Sequence, residues 1–188
     1  MTIGLNKTVV LFGGSGFLGR YVAQALCRRG HRVRVACRRP DLAYHLQITG
    51  NMGQILPIQA NLRYRWSVDR AVGAGLTQIA ASGADAYSAS AYGRSKAAGE
   101  AAVLETVPDA TILRPSIVFG AEDQFFNRFA AMARVSPFLP LVGGGHTRYQ
   151  PVFVGDVAEA VADTVEGKVP GGRIYELGGP EVLTFRQM

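Results

Sequence analysis

One stretch near the start of the chain, residues 8–30, constrains the fold more than any other. Val9 to Phe12 form an apolar run of the kind found in buried parallel strands. Glycines follow at positions 13, 16 and 19, and the pattern from Tyr21 to Arg29 predicts an amphipathic helix that ends at Gly30. A strand, a glycine-rich turn and a helix in this order predict the first unit of a parallel α/β sheet.

The spacing of the three glycines suits a dinucleotide. Gly13 permits a tight turn out of the strand, Gly16 lets backbone N–H groups approach a pyrophosphate, and Gly19 lets the helix pack closely against the sheet. The positive end of the helix dipole then faces the phosphates. An ordinary glycine-rich turn is the alternative. We predict that the cofactor is held by the turn and the first helical residues, namely Gly13, Ser15, Gly16, Phe17, Leu18 and Gly19.

The end of the second predicted strand, Arg32 to Ala36, carries the signal for cofactor choice. NAD-preferring sites usually place an Asp or Glu there, and that carboxylate accepts a hydrogen bond from the ribose 2′-hydroxyl. This chain instead has Arg38 and Arg39. A guanidinium pairs with a 2′-phosphate, which a carboxylate would repel. We therefore predict NADP(H) as the preferred cofactor and NAD(H) as the alternative, with both arginines as surface charges as the competing interpretation.

The third strand is predicted at Gln54 to Ile58, and Asn61, with Leu62 beside it, is placed to contact an adenine edge. A doubly wound sheet then needs a helix, a fourth strand, another helix and a fifth strand, roughly 50 residues or more. Before the next long helix the chain offers only a strand-like run, Leu76 to Ala80. We predict that one strand–helix unit is missing after Val72, which would remove one wall of the nicotinamide site and expose apolar surface. The alternative is that Leu76 to Ala80 fills the vacant position.

Tyr92 and Lys96 lie four residues apart in a predicted Ala-rich helix from Ser88 to Glu105. A Tyr–Lys pair can transfer protons, because the ammonium group and the charge of the cofactor both favour the phenolate. The lysine can also hold the nicotinamide ribose. We predict these two residues as the catalytic pair and as cofactor contacts.

The following strand, Thr111 to Leu113, runs into Arg114 and Pro115, and a loop to Gly120 is expected over the nicotinamide. The cofactor contacts predicted there are Pro115, Ser116 and Ile117. Later elements include an amphipathic helix from Gln124 to Val135, whose aromatic side is expected to be core. The next predicted element is a helix that begins within the stretch from Pro151 to Ala158, and a strand from Arg173 to Leu177 comes after it.

The predicted elements suggest two parts of unequal size. Residues 1–120 would form an NADP(H)-binding domain, and residues 121–188 would form a smaller lobe packed on it and partly interleaved with it. Thr184 is placed to cap a helix that the chain barely begins, so the lobe is expected to be cut short.

Composition and charge exclude several classes of protein. The chain has 188 residues, of which 48% are hydrophobic and 18% charged, as expected for a globular domain with a sizeable core. Its two cysteines, Cys27 and Cys37, form no C-x-x-C pair and its three histidines are scattered, so no metal site is predicted. The first strand leaves no room for a leader peptide, and no apolar run is long enough to cross a membrane, so a cytoplasmic location is expected.

The net charge of +6 is concentrated in two runs, Arg28 to Arg39 and Arg63 to Trp66. A basic surface can meet nucleic acid, anionic lipid or an acidic protein. Arginines mixed with aromatic residues, as in the second run, can indicate base stacking. We favour a solvated or partner-facing surface and predict no nucleic acid partner.

Several motifs together resemble the extended, atypical type of short-chain dehydrogenase/reductase, namely residues 13–19, Tyr92 with Lys96, Arg114–Pro115 and residues 151–158. Longer stretches at residues 9–22, 61–65, 113–120 and 150–152 most resemble the family of the NAD(P)H-binding accessory subunit of respiratory complex I, alpha subcomplex subunit nine, in its alphaproteobacterial form. This resemblance implies an α/β fold with a Rossmann-type doubly wound parallel sheet. It also implies a tightly held NADPH that is not a redox carrier in electron transfer.

The same resemblance implies partners and a place in the cell. Complex I core subunits are the expected partners, at the junction of the peripheral and membrane arms, with contact to an anionic membrane surface. The expected location is therefore peripheral, on the cytoplasmic face of a bacterial inner membrane.

One departure from the family bears on catalysis. The usual catalytic Ser ends the strand before the Tyr helix, and the aligned residue here is Ala80, with Ser82 two positions on. Loss of such a hydrogen-bond donor commonly costs about 10²–10³ in rate. We predict a non-catalytic NADP(H)-binding accessory or assembly subunit in which Tyr92 and Lys96 are vestigial. The alternatives are an active NADPH-dependent reductase or epimerase acting on a small carbonyl or sugar-nucleotide-like substrate, a cofactor-sensing regulator, and a defective relic.

Overall fold

The computed structural model describes residues 7–72, 91–136 and 142–188. The chain divides into two compact units. The first combines the residues up to Gln78 with Ala158–Glu166, and the second contains Ile79–Val157 and Gly167–Met188. The boundary predicted at residue 120, between a nucleotide-binding domain and a smaller lobe, stays a prediction.

The first unit is built on a parallel three-stranded sheet in the order β1-β2-β3. Its strands are β1 (Thr8–Phe12), β2 (Arg32–Cys37) and β3 (Ile55–Gln59). Helix α1 (Phe17–Arg28) joins the first two strands, and a 3₁₀ helix, Pro40–Thr49, joins the second to the third. Helix α2 (Arg65–Val72) follows the third strand. These elements confirm the predicted α/β class and the three strands that the sequence predicts in this part of the chain.

The two faces of this sheet are covered very differently. One face packs against α1, the 3₁₀ helix and residues 158–166, around fully buried side chains such as Leu26, Val35 and Leu46. The other face has a small cluster whose buried members are all alanines, including Ala71 of α2. Leu56 of β3 is 54% exposed. An uncovered apolar residue is unusual in a parallel sheet, because such sheets are normally covered on both faces.

Among the described residues, β1 pairs with β2 and with no other strand. Central strands of doubly wound sheets have a neighbour on each side. Residues 73–90 lie outside the described residues. They include the strand predicted at Leu76 to Ala80, and they begin at the point after Val72 where a strand–helix unit is predicted to be missing.

The second unit contains helix α3 (Ala91–Thr106) and three short strand pairs. Strand β4 (Ile112–Pro115) pairs in parallel with β8 (Ile174–Leu177), β5 (Val118–Phe119) pairs with β7 (Val152–Phe153), and β6 (Arg148–Tyr149) pairs with β9 (Leu183–Thr184). Helix α4 (Phe126–Val135) lies in this unit, and α5 (Val154–Glu166) begins in it and continues into the first. Glu100 of α3, whose side chain is 5% exposed, accepts hydrogen bonds of 2.7 and 3.2 Å from Arg114 of β4.

Several element boundaries differ from the predictions for local reasons. Helix α1 begins at Phe17 rather than Tyr21, directly after the glycine turn. Helix α4 begins at Phe126 because the Asp123 carboxylate accepts a hydrogen bond from the Phe126 N–H at 2.6 Å. No residue of α4 is fully buried, so the prediction of a core aromatic face was wrong. The aromatic rings of this helix instead form a half-buried cluster with Phe185 and Tyr149.

Arg29 joins the end of α1 to α5. Its guanidinium donates to Asp163 at 2.6 Å, to Glu166 at 2.9 Å and to Glu159. Burial lowers the pKa of Arg29 and is the largest single influence, but the hydrogen bonds and charges of Glu159 and Asp163 together raise it above its usual value. The guanidinium thus binds three carboxylates of α5 and connects that helix to the end of α1.

We expect Arg29→Gln to lower the free energy of unfolding by about 2 kcal/mol, since it removes the guanidinium that binds three neighbouring carboxylates of α5. Urea denaturation of the full chain measures the change. Arg28→Gln is the matched control, because Arg28 is the exposed preceding residue and has no ion pair among the described residues. Equal stability of the two variants would contradict the assigned role.

Candidate nucleotide site

A cavity of about 390 Å³ lies at the carboxyl ends of β1, β2 and β3. Its lining comes from the turn after β1, the end of β2 and the residues after β3, namely Phe12, Gly13, Ser15, Gly16, Ala36, Cys37, Arg38 and Ala60 to Arg63. Open parallel sheets bind their ligands at this edge. A depression of about 410 Å³ at the opposite edge, beside Arg32 and Asn51 to Gln54, lies where the strands begin. The amide of Gln54 there is engaged in binding the Cys27 and His31 carbonyls.

The turn after β1 has the geometry that its glycines predict. Gly13 has a φ of 73°, a conformation that residues with a side chain rarely adopt. Its N–H donates to the Ala36 carbonyl at 3.0 Å, and its own carbonyl accepts from the Gly16 N–H at 2.9 Å. The turn is therefore anchored to β2 and leads directly into α1.

Gly19 packs against this turn rather than against the strands. A Cβ at Gly19 would overlap the Gly13 carbonyl oxygen and lie 2.5 Å from the Gly14 Cα. Gly14, which the sequence analysis did not single out, would place a Cβ 2.9 Å from Val35 Cγ1. The first turn of α1 can thus approach the strand ends only because all of these positions lack a side chain.

The first turn of α1 leaves backbone donors for a ligand. Its N-cap residue is Gly16, no side chain caps the helix, and the first turn contains no acidic residue. The N–H groups of Phe17, Leu18 and Gly19 have no partner within a helix of this geometry. Such donors, together with the positive end of the helix dipole, bind phosphate groups. The residues present therefore fit the pyrophosphate of a dinucleotide.

The two arginines predicted to select NADP(H) have different surroundings. Arg38 lines the cavity. Arg39 donates to the Asp41 carboxylate at 2.7 Å, is not among the cavity residues, and holds the pKa of Asp41 below its usual value. Arg39 therefore has an acidic partner two residues away, whereas Arg38 has none among the described residues.

The segment after β3 is held by Ser67. Ser67 lies inside α2, two residues after the start of this helix at Arg65. The buried Ser67 hydroxyl accepts from the Asn61 N–H at 2.7 Å and donates to the Asn61 carbonyl at 3.0 Å. The Asn61 side-chain oxygen accepts from the Arg63 N–H at 3.1 Å. Asn61 thus shapes the rim of the cavity, and Leu62 and Arg63 line it.

The cavity has a positive lining. Burial raises the pKa of the Cys37 thiol, with a hydrogen bond to the Arg39 backbone acting weakly against this, so the thiol is neutral at pH 7. Of the described residues that line the cavity, two are arginines and none is acidic. An anionic ligand suits this lining.

The remaining predicted site residues lie in the second unit. Tyr92 and Lys96 belong to α3, and their side chains, together with Ala80 and Ser82, lie outside what the structure describes. Pro115 is the last residue of β4, the Ser116 N–H donates to the Leu177 carbonyl at 2.8 Å, and the Ile117 carbonyl accepts from the Val152 N–H at 2.9 Å. The predicted loop from Ser116 to Gly120 therefore contains the short strand β5.

We expect Gly19→Ala to destabilise the chain by about 2 kcal/mol or more and to weaken nucleotide binding, because the new methyl group pushes α1 away from the turn. Gly99→Ala is the matched control, since Gly99 also lies in a helix but has open space around it. That control should be neutral or gain up to about 1 kcal/mol from helix propensity. Thermal denaturation compares the two variants, and similar melting temperatures would contradict the close packing at Gly19.

Comparison with solved structures identifies the fold. A UDP-glucose 4-epimerase from Bifidobacterium longum, in complex with NAD+ and UDP, matches 96% of this chain and 80% of its own chain, with a TM-score of 0.73 and 15% identity. The UDP-glucose 4-epimerase of Thermus thermophilus matches with a TM-score of 0.67 and 21% identity, over 96% of this chain and 80% of its own. These similarities establish a Rossmann-type α/β fold.

Several curated relatives are subunits of the respiratory NADH dehydrogenase. NADH dehydrogenase [ubiquinone] 1 alpha subcomplex subunit 9 of Arabidopsis thaliana is 32% identical over 98% of this chain and 56% of its own length, and that of Dictyostelium discoideum is 31% identical over 98% and 62%. The chain thus spans about three fifths of the length of these relatives. The Arabidopsis alignment runs over 228 positions, whereas 98% of this chain is about 184 residues, so about 44 positions have no counterpart here.

A family model covers the second half of the chain. Residues 82–187 match the RmlD substrate binding domain. This domain is of the short-chain dehydrogenase/reductase type, in agreement with the motifs at residues 13–19 and the fold of the first unit. The chain therefore belongs to the RmlD substrate binding domain family of short-chain dehydrogenase/reductase-type proteins, and its sequence is similar to alpha subcomplex subunit 9 of respiratory complex I.

Proposed function

We propose that this chain is a non-catalytic, NADP(H)-binding accessory or assembly subunit of a respiratory NADH:ubiquinone oxidoreductase. Nucleotide binding is supported by the cavity at the carboxyl ends of β1 to β3. The uncapped first turn of α1 lies beside this cavity, next to Gly13 and Gly16. The observation that carries the complex I part is the similarity to alpha subcomplex subunit 9 over almost the whole chain.

Different residues of the first unit would contact different parts of the nucleotide. The N–H groups of Phe17 and Leu18 would bind the pyrophosphate, Asn61 and Leu62 would contact the adenine, and Arg38 would bind the 2′-phosphate. NAD(H) lacks this 2′-phosphate and would bind more weakly. A bound dinucleotide would supply a hydride donor or acceptor, but the chain's own part is to hold it.

The residues predicted to contact the nicotinamide half are proposed to bind it without catalysing a reaction. Tyr92, Lys96, Pro115, Ser116 and Ile117 are proposed as its contacts. The aligned position of the usual catalytic serine is Ala80, so a substrate carbonyl would lack one of its hydrogen-bond donors. About 44 positions of the Arabidopsis alignment have no counterpart here, which is enough for one strand–helix unit, and this number supports our proposal that such a unit is missing after Val72. Both features favour binding without catalysis.

An exposed basic and aromatic surface is available for partners. It consists of the exposed side chains of Tyr64, Arg65, Trp66 and Arg70. Trp66 is 61% exposed, its ring stacks on that of Tyr64 with 6.5 Å between the ring centres, and the Arg70 guanidinium lies 5.4 Å from the centre of the Trp66 ring. Among the described residues, no helix is both long and apolar enough to cross a membrane. We propose that this surface faces complex I core subunits beside the anionic cytoplasmic face of the inner membrane, where Trp, Tyr and Arg are favoured.

The nucleotide assignment predicts a thermal shift. The full chain should melt several degrees higher with NADPH than without it, because a ligand that binds only the folded state stabilises it, and NADH should give a smaller shift. Arg39→Gln should leave the NADPH shift unchanged, since Arg39 pairs with Asp41. No shift with either nucleotide would overturn the assignment.

The complex I assignment predicts association in native membranes. Chromosomally tagged chain should co-purify with core subunits of NADH:ubiquinone oxidoreductase after mild detergent extraction. A Trp66→Ala/Arg65→Ala double variant should be recovered at lower yield, whereas Ile48→Ala, at another exposed apolar residue, should not.

Purified chain should show no turnover across a panel of carbonyl substrates with NADPH. Steady turnover that is lost on Tyr92→Phe would instead establish the reductase alternative.

A further inference from the structure

Arg38 and Arg63 line the same cavity from different strands of the first unit. Arg38 follows β2 and Arg63 follows β3, and no acidic residue is among the described residues of the lining. Two guanidinium groups in one cavity repel each other, and a dianion bound between them removes that repulsion. The pyrophosphate already has its own donors at the start of α1, so these arginines suit a second anionic group.

Neighbouring arginines are engaged elsewhere. Arg39 lies 2.7 Å from the Asp41 carboxylate, and Arg65 lies 3.7 Å from that of Asp69. Arg38 and Arg63 have no ion pair with the described part of the chain. Of these four arginines, the two that line the cavity have no acidic partner in the described part of the chain, which leaves their guanidinium groups available to an anionic ligand.

The backbone at Arg63 is fixed in place. Its N–H donates to the Asn61 side-chain oxygen, and the Asn61 backbone is bound in turn by the Ser67 hydroxyl, which belongs to a residue that is 1% exposed. An arginine on such an anchored turn loses less conformational freedom on binding than one on a free loop. The turn thus presents Arg63 to the cavity in a preorganised way.

We propose that Arg63 is the second arginine of the 2′-phosphate site, so that Arg38 and Arg63, rather than Arg38 and Arg39, distinguish NADP(H) from NAD(H). This proposal rests on the proposed nucleotide-binding function. Sequence adjacency favours the Arg38–Arg39 pair, whereas Arg63 is distant in sequence and joins Arg38 only through the parallel pairing of β2 with β3.

Two small nucleotides test the proposal without the nicotinamide half. Adenosine 2′,5′-bisphosphate and 5′-AMP differ only in the 2′-phosphate. Isothermal titration of the full chain should show tighter binding of the bisphosphate. Arg63→Gln and Arg38→Gln should each weaken bisphosphate binding about tenfold or more and leave 5′-AMP within about twofold, as expected for loss of a charge-assisted hydrogen bond. Arg63→Lys should keep part of the preference.

The matched controls are Arg39→Gln and Arg65→Gln, which remove the same charge from arginines paired with acids. Both should keep the preference for the bisphosphate, and melting curves without ligand verify that every variant is folded. Equal weakening of both nucleotides by Arg63→Gln would place Arg63 against the adenine and overturn the proposal, as would no effect on either. If the unmodified chain binds neither these nucleotides nor NADPH, the proposed function itself fails.

Discussion

The close packing of Gly19 on Gly13 and Gly14 is the contact on which the nucleotide site depends. It lets the first turn of α1 approach the ends of the strands, so that the helix dipole and its uncapped N–H groups lie beside the cavity. A methyl group at Gly19 would overlap backbone atoms of Gly13 and Gly14 rather than the end of a flexible side chain. The turn or the helix would therefore have to move, at a cost in stability. Position 13 in the left-handed region completes the turn.

Electrostatics then make the cavity suited to a phosphate-rich ligand. The thiol of Cys37 is kept neutral by burial, the described lining has no carboxylate, and Arg38 and Arg63 add positive charge. Arg39 and Arg65, which lie next to these residues in the sequence or close to them, are instead paired with acids, and Arg29 binds three carboxylates of α5. Arg38 and Arg63 thus combine a place in the cavity lining with the absence of an ion pair among the described residues.

Much of the first unit could be predicted from sequence, because its signals are local. The apolar run of β1, the alternation in β2 and the glycine spacing each act within a few residues, and the strands and the turn at Gly13 are confirmed. Ser67 could not be placed, because its hydrogen bonds depend on where α2 begins. The pairing of Arg39 with Asp41 and the arrival of Arg63 in the cavity were also missed, since sequence alone does not say which acid competes for an arginine or which loops converge.

The most direct test of the account is amide hydrogen exchange of the full chain with and without NADPH. We expect slower exchange in residues 13–19, where the turn and the start of α1 would bind the pyrophosphate, and no change in residues 51–54 at the opposite edge of the sheet. Protection at residues 51–54 without protection at residues 13–19, or none at either, would contradict the claim that the carboxyl edge holds the nucleotide.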